Sequence, residues 1–296
     1  MIKSLRKRFI LFNVLVTSCI VVIVGLSVFI GAPRNDLPAH RYVTSLSFAI
    51  VAVYIGSLIL SKAAIRPIQA AWQKQLDFTA DASHELRTPI TVIQTNLDLV
   101  MDNKEETVES QMKWLKNIEA ENQRMAKLVE NLLTLSRADT DQPMLEKEIF
   151  MLDDAISEAA APFEAIASEK NIGLVMNINN QIAFFGDRKR IKQLVIIFLD
   201  NALTYMESGS VTVDLSRREK EITIIVSDTG HGIKDEHFDK IFDRFYRVSK
   251  TKKLNQNGTG LGLAIAKWIV HEHGGRVQVT SALGVGTSFI VHLPSQ

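Results

Sequence analysis

The stretch "DFTADASHELRTPIT", residues 77–91, sets a reactive-looking pair of side chains inside a helical pattern. His84 is followed at once by Glu85, and Pro89 comes five residues later. Proline cannot donate the helical hydrogen bond to the carbonyl of Glu85, so we expect the helix to bend just past the histidine. Glu85 could accept a proton from one ring nitrogen and make the other a better nucleophile, while Thr88 shares the face of His84. The alternative is a surface His–Glu pair in a coiled coil.

The residues around this stretch predict a helical hairpin. A heptad-like seam recurs at alternating steps of three and four, formed by Leu76, Thr79, Ser83, Leu86, Ile90, Ile93, Leu97 and Val100. A second seam follows the polar break at 102–107 and consists of Leu115, Ile118, Met125, Leu128, Leu132 and Leu135. One antiparallel hairpin would leave its apolar stripe in water, whereas two hairpins bury it in a four-helix bundle. We therefore expect a homodimer.

Two uncharged apolar runs, residues 9–32 and 42–60, predict two transmembrane helices. A cleaved signal peptide is the alternative for the first run, but its apolar core should be only about 7–15 residues long. Basic residues flank both runs, which places the N-terminus and everything after about residue 62 in the cytoplasm. The loop between the runs, about 31–41, is too short for a ligand pocket. A stimulus could enter through the spans, a membrane partner protein or this loop, unless the segment is a mere anchor in the lipid bilayer.

Charge argues against one binding mode, and cysteine content rules out one kind of cross-link. The formal net charge is +1, which argues against nucleic-acid binding through a broad basic surface. Cys19 is the one cysteine, so the chain forms no internal disulfide.

Past residue 144 the pattern changes to mixed helices and strands. We predict strands at 146–152, 172–178, 210–216, 221–228, 276–280 and 287–292, and helices at 153–170, 186–209 and 260–273. Helices mixed with largely antiparallel strands indicate an α+β sandwich. The predicted domains are two transmembrane helices over 1–62, a dimerisation and phosphotransfer domain over 63–140 and a catalytic ATP-binding domain over 141–296.

Two glycine motifs and one asparagine are candidate ligand residues. In "DTGHGI" (228–233) a strand ends on Asp228, whose carboxylate can accept a hydrogen bond from an amino group. "NGTGLGLA" (257–264) opens a helix whose amide groups attract phosphate, although no Gly-Lys-Ser/Thr follows to make a P-loop. Asn201 in "LDNALTY" (199–205) offers an oxygen that suits Mg²⁺. Taken singly, each is more simply explained as a plain turn, an ordinary helix start or a solvated asparagine.

Together these motifs resemble bacterial sensor histidine kinases of two-component systems. "FTADASHELRTPIT" is similar to their H box, and the three candidate motifs, in order and spacing, are similar to the N, G1 and G2 boxes of their Bergerat-fold ATP-binding domain. "IFDRFYRV" (241–248) resembles the F box. The resemblance covers roughly residues 66–296. It implies that His84 is phosphorylated, that Glu85 is the general base, and that Thr88 positions water when the enzyme acts as a phosphatase.

The resemblance also implies the ligands. Asp228 would read adenine, and Asn201 would coordinate Mg²⁺. The implied ATP-binding residues further include Gly230, Gly232, Phe242, Phe245, Arg247, Gly258, Gly260, Leu261 and Gly262. Residues about 231–257 would form a mobile lid, in which Lys250, Lys252 and Lys253 are either phosphate ligands or solvated charges.

The implied function is ATP-dependent autophosphorylation on His84, followed by transfer to an aspartate of a cytoplasmic response regulator. The implied location is the bacterial cell membrane, as a multi-pass protein. Whether phosphorylation occurs within or between subunits depends on the hairpin turn, which spacing does not fix. A Bergerat-fold ATPase of the gyrase or heat-shock chaperone class lacks an H box. A degenerate kinase acting as a membrane scaffold is the non-enzyme alternative.

Two positions depart from the family pattern. Ile197 stands where the family often has a second asparagine, and Thr204 where it often has a lysine. We therefore hypothesise reduced ATP affinity. Near the C-terminus, His271 and His273 in "HEHGG" do not face each other on a helix, so we predict no metal site there and interpret Gly274 as a helix cap.

Overall fold

A computed structural model describes residues 14–23, 25–26, 39–138, 145–179, 181–248 and 258–295. The chain divides into two compact units, Met1–Ala80 and Asp81–Gln296. In the first unit, residues 14–23 and 25–26 are helical, and residues 39–80 begin the helix α1 (Ala39–Asp102).

The predicted pair of transmembrane helices is wrong. Within the described ranges, no helix is both long enough and apolar enough to cross a bilayer. Residues 42–60 do not form a helix of their own, because they begin the 64-residue α1, which runs on into charged and polar residues without a break. Half of the first predicted span (9–32) and most of the predicted loop (31–41) lie outside the described residues.

In the second unit, α1 and α2 (Val108–Ala138) form the predicted antiparallel hairpin. Thr107 immediately precedes α2, and its Oγ1 accepts a hydrogen bond from the amide of Ser110 at 3.3 Å, as an N-cap residue does. Across the hairpin, the Asn117 side chain donates to Oδ1 of Asn96 at 3.2 Å. This contact sets the register between the two helices.

The two halves of the heptad seam are buried differently. Leu86 and Ile93 are half-buried in the single chain. The alternate seam positions Ile90 and Leu97 remain 52% and 42% exposed. One stripe of α1 is therefore covered within the chain, and the neighbouring stripe is not.

The rest of the second unit is an α/β sandwich. Its elements are β1 (Glu148–Met151), α3 (Leu152–Glu169), β2 (Ile172–Ile178), β3 (Ala183–Gly186), α4 (Arg188–Thr204), β4 (Gly209–Arg218), β5 (Glu221–Asp228), a 3₁₀ turn (Asp235–His237), α5 (Gly262–Glu272), β6 (Arg276–Ala282) and β7 (Gly286–Pro294). A five-stranded sheet runs in the order β2-β4-β5-β7-β6, with β2 parallel to β4 and the remaining pairs antiparallel. β1 and β3 form a separate antiparallel pair.

Alternating side chains bury one face of the sheet. Val211, Val213 and Leu215 of β4 are fully buried or nearly so, and β5 and β7 repeat this pattern. The α3–α5 layer covers this face, with Phe198 of α4 stacked on Phe289 of β7 at a centroid distance of 4.8 Å. The predicted α+β sandwich is therefore present. Only β3 was missed, because "AFFG" is too short to show a strand period.

Candidate functional site

A cavity of about 380 Å³ lies where α4, the end of β5, the start of α5 and α2 meet. It brings together seven of the eleven predicted ligand residues, namely Asn201, Asp228, Gly232, Arg247, Gly258, Gly260 and Gly262. Residues that are far apart in sequence therefore line the same cavity. The joint occurrence of the N, G1 and G2 motifs in one cavity is the arrangement that the sequence predicted.

The other four predicted residues support the cavity without lining it. The amide of Gly230 donates to Asp228 Oδ1 at 2.8 Å. Phe242 packs edge-on against Phe289 at a centroid distance of 6.4 Å, and Leu261 is fully buried. Phe245 donates its amide to the carbonyl of Gly260 at 2.9 Å. These residues shape the site from behind.

Asp228 is a half-buried carboxylate aimed at the cavity. Its Oδ1 accepts hydrogen bonds from the amides of Gly230, at 2.8 Å, and Thr287, at 3.2 Å. Burial raises the pKa of Asp228, and these two hydrogen bonds oppose the rise. Because both bonds end on Oδ1, Oδ2 can accept a further hydrogen bond from a ligand amino group.

The start of α5 presents backbone amides to the cavity. Leu261 stands at the N-cap and makes no side-chain capping bond, so the first amides of the helix are available to an anion. Gly260 has a φ of +70°, and a Cβ there would lie 2.8 Å from the backbone of Phe245. Glycine is required at this point for both reasons.

Asn201 lies in the last turn of α4 and is half-buried. Neighbouring Asp200 also lines the cavity. The described residues contain no cluster of three or more His, Cys, Asp or Glu side chains that could hold a metal alone. Mg²⁺ keeps several waters and binds through one or two protein oxygens plus phosphates, so this donor set fits it.

Helix α2 forms a wall of the cavity that the sequence did not predict. Arg124, Lys127, Leu128 and Asn131 all line it. The guanidinium of Arg244 donates to the carbonyl of Leu135 at 3.2 Å, which ties α2 to the segment after the 3₁₀ turn. No motif signalled this wall, because it depends on how the hairpin packs against the sandwich.

His231 and Tyr205 are also lining residues that sequence reasoning missed. Nδ1 of His231 donates to the carbonyl of Tyr205 at 2.6 Å, which fixes its tautomer. His231 occupies the variable place within "DTGHGI", so the motif drew attention to its neighbours and not to the imidazole.

The predicted catalytic residues lie on α1, outside the cavity lining. His84 and Thr88 are exposed and Glu85 is half-buried. The Asn117–Asn96 contact in the antiparallel hairpin places His84, twelve residues before Asn96, level with residue 129 of α2. Leu128 and Asn131, which line the cavity, flank that level. His84 is therefore accessible to a nucleophilic role and lies at the height of the cavity wall.

The predicted helix cap is present, because Gly274 has a φ of +71° just past α5. The two histidines before it have separate surroundings: His273 is buried, and His271 is exposed. Nδ1 of His273 donates to the carbonyl of Ile269 at 2.7 Å, and Nε2 accepts from the amide of Asp187 at 2.9 Å. His273 thus joins the end of α5 to the start of α4.

Comparison with known proteins identifies two family domains in the chain. Residues 74–141 match the His Kinase A (phospho-acceptor) domain. Residues 186–296 match the histidine kinase-, DNA gyrase B- and HSP90-like ATPase domain.

Individual proteins agree with these domains. The chain is 33% identical over 257 residues to the sensor histidine kinase RppB of Synechocystis, covering 86% of this chain but only 57% of that protein. The histidine kinase AdeS of Acinetobacter baumannii has a similar structure, with a TM-score of 0.59, 27% identity and coverage of 72% of this chain and 98% of that one. Histidine kinase ThkA, solved in complex with the response regulator protein TrrA, gives a TM-score of 0.61 at 26% identity and covers 77% of this chain and 64% of its own.

Proposed function

The chain belongs to the sensor histidine kinases of bacterial two-component systems, and on this premise we propose that it transfers the γ-phosphoryl group of ATP to His84. The phosphoryl group then passes to an aspartate of a separate response regulator. The observation that carries the proposal is the single cavity that unites Asn201, Asp228 and the glycine loop, at the level of His84 on the hairpin.

The cavity suits ATP at both ends. Oδ2 of Asp228 accepts a hydrogen bond from the adenine amino group, and the amides at the start of α5 face the phosphates. Asn201 would hold Mg²⁺ through its side-chain oxygen, and the bound ion would neutralise charge on the phosphates. Phe242 and Leu261 pack behind the cavity as part of the apolar core.

The chemistry at His84 needs few protein groups. One ring nitrogen attacks the γ-phosphorus, forming the P–N bond while the bond from that phosphorus to the bridging oxygen of ADP breaks. Glu85 accepts the proton from the other ring nitrogen, so the imidazole carries no net charge after transfer. Exposure of His84 allows in-line approach, and the rate then depends mainly on positioning and charge neutralisation.

The hairpin suits a homodimer. Ile90 and Leu97 form an apolar stripe at one heptad position of α1, and the chain leaves both exposed. Pairing this stripe with its copy in a second hairpin buries it in a four-helix bundle.

A response regulator is the proposed phosphoryl acceptor, since the related kinase ThkA was solved in complex with one. Thr88, one turn after His84 and exposed on the same face, is placed to orient water in the reverse, phosphatase direction. We extend both roles to this chain as part of the proposal.

The full-length chain incubated with γ-³²P-ATP and Mg²⁺ tests the proposal. Label that is acid-labile and base-stable in the wild type, and lost in His84→Gln, is the expected result. Absence of label from a folded wild-type protein that binds ATP would refute autophosphorylation and favour a scaffold.

The domain limits at 62/63 and 140/141 and the location of the catalytic part stay predictions. Cell fractionation, followed by protease treatment of intact spheroplasts and lysed cells, would test where residues after 62 reside. Protection of that part in spheroplasts alone is the result expected for a cytoplasmic site.

A further inference from the structure

We propose that Arg124 and Lys127 of the hairpin helix α2 bind the phosphates of the nucleotide. The inference rests on the proposed function, because it assigns phosphate ligands within the same cavity. It makes the hairpin a part of the nucleotide site as well as the carrier of His84.

The cations of the cavity lead to this inference. Three lysine or arginine side chains line it in the described part of the chain, and two of them, Arg124 and Lys127, come from α2. The third, Arg247, comes from the segment after the 3₁₀ turn. Asp200 and Asp228 add negative charge to the same lining, and these cations offset that charge toward a polyanionic ligand.

The α2 side chains are available for a ligand. Arg124 makes one long ion pair, with Nη1 at 3.8 Å from Oε1 of Glu121. Among the described residues, Lys127 and the neighbouring Asn131 have no hydrogen-bond or ion-pair partner. Two charged groups and one amide thus face the cavity with unused donors.

Packing fixes this wall in place. Leu128 and Leu135 of α2 are each only 2% exposed and belong to the core of the sandwich. The hydrogen bond from Arg244 to the carbonyl of Leu135 adds a polar contact on the same side. Arg124 and Lys127, one turn apart on α2, are therefore held beside the glycine loop.

Helix α4 forms another wall of the same cavity. Thr204, the last residue of α4, does not line the cavity. Ile197 does line it, and its Cγ2 lies 3.3 Å from the Cβ position of Gly262. Helix α4 thus offers no cation to the phosphates, and α2 supplies two.

Nucleotide affinities of the full-length chain test the inference. We would displace a fluorescent ATP analogue with ATP, ADP and adenosine from wild type, Arg124→Gln, Lys127→Gln and the double variant. The double variant should weaken ATP binding by about tenfold and ADP binding by less, with adenosine unchanged. Raising the salt concentration should weaken ATP binding less in the double variant than in the wild type.

Matched variants separate charge from packing. Lys116→Gln removes an exposed cation from α2 outside the cavity and should leave all three affinities unchanged. Arg124→Lys with Lys127→Arg keeps both charges and should retain most of the ATP affinity.

Wild type that binds ATP while the double variant binds it equally well overturns the inference and leaves the proposed function intact. Equal weakening of adenosine and ATP also overturns it, because that pattern reports a packing role. Wild type that binds no ATP overturns the proposed function and, with it, this inference.

Discussion

The N-termini of α4 and α5 differ in what occupies them. At α4, the buried Asp187 caps the helix: its side chain accepts from the amides of Arg190 and Glu146, and its own amide donates to His273. At α5, Leu261 offers no capping side chain, and the amides open on the cavity. The same four unpaired amides at a helix start serve stability in one case and ligand binding in the other.

We expect the largest effect from Gly260→Ala, which alters the glycine loop at the open N-terminus of α5. Its φ of +70° and the 2.8 Å approach of a Cβ to the backbone of Phe245 force the glycine loop to move. We expect ATP affinity to fall by at least about 100-fold, from misplaced amides, as measured by calorimetric titration.

Gly284→Ala is the control for that variant. Gly284 has a similar φ of +74°, but a Cβ there meets no atom within 4 Å. It should lose about 1 kcal/mol of stability from strain and keep its ATP affinity. Equal losses of affinity in the two alanine variants would contradict a steric role for Gly260.

Asp228→Asn tests the other end of the open site. The variant offers an amide where adenine needs an acceptor, so ATP affinity should fall about 10- to 100-fold. Burial raises the pKa of Asp228, so its ionised form destabilises the folded state above that pKa. Chemical denaturation at neutral pH should thus show the asparagine variant to be as stable as wild type or more so. A clearly less stable asparagine variant would contradict the conclusion that burial raises the pKa of Asp228.

Asp187→Ala tests the capped N-terminus of α4. It leaves the partly buried amides of Arg190 and Glu146 without their partner, which should cost about 2 kcal/mol of unfolding free energy. ATP affinity at a temperature where the variant is folded should change little, because Asp187 lies outside the cavity lining. Denaturant unfolding and titration on the same sample would separate the two effects, with Asp187→Asn as the conservative control.

The smallest effect concerns how stability depends on pH through His273, beside the capped N-terminus of α4. Burial lowers the pKa of His273, and its neutral Nε2 accepts from Asp187. Its contribution is present above the unfolded pKa of about 6.5 and is lost as pH falls through the lower folded pKa. Denaturation between pH 7.5 and 5 should show a loss of about 1 kcal/mol that is smaller in His273→Gln. Parallel pH curves for the two proteins would exclude this role.

This contrast also shows what local sequence can reveal. The opening of α4 by Asp187 and the glycine-rich start of α5 were predictable, because caps and glycine spacing are features of neighbouring residues. The link between Asp187 and His273 spans 86 residues, and only the fold brings them together. The α2 wall was missed for the same reason, since heptad spacing does not say which face of a helix meets another domain.

The long apolar run gave the clearest error. Residues 42–60 carry no charge and predicted a separate span, whereas α1 runs through them and on to Asp102. Hydrophobic length alone does not show where a helix ends, and the residues after 60 contain no strong helix stop before Pro67. The seam around His84 was more reliable, because its period of three and four extends over several turns.

The hydrogen bond from the amide of Phe245 to the carbonyl of Gly260 joins two backbone positions that are 15 residues apart. This contact and the start of α5 together hold the glycine loop in position. The entropic cost of closing a loop rises only slowly with its length. The position of the glycine loop should therefore depend only weakly on how many residues separate Phe245 from Gly260.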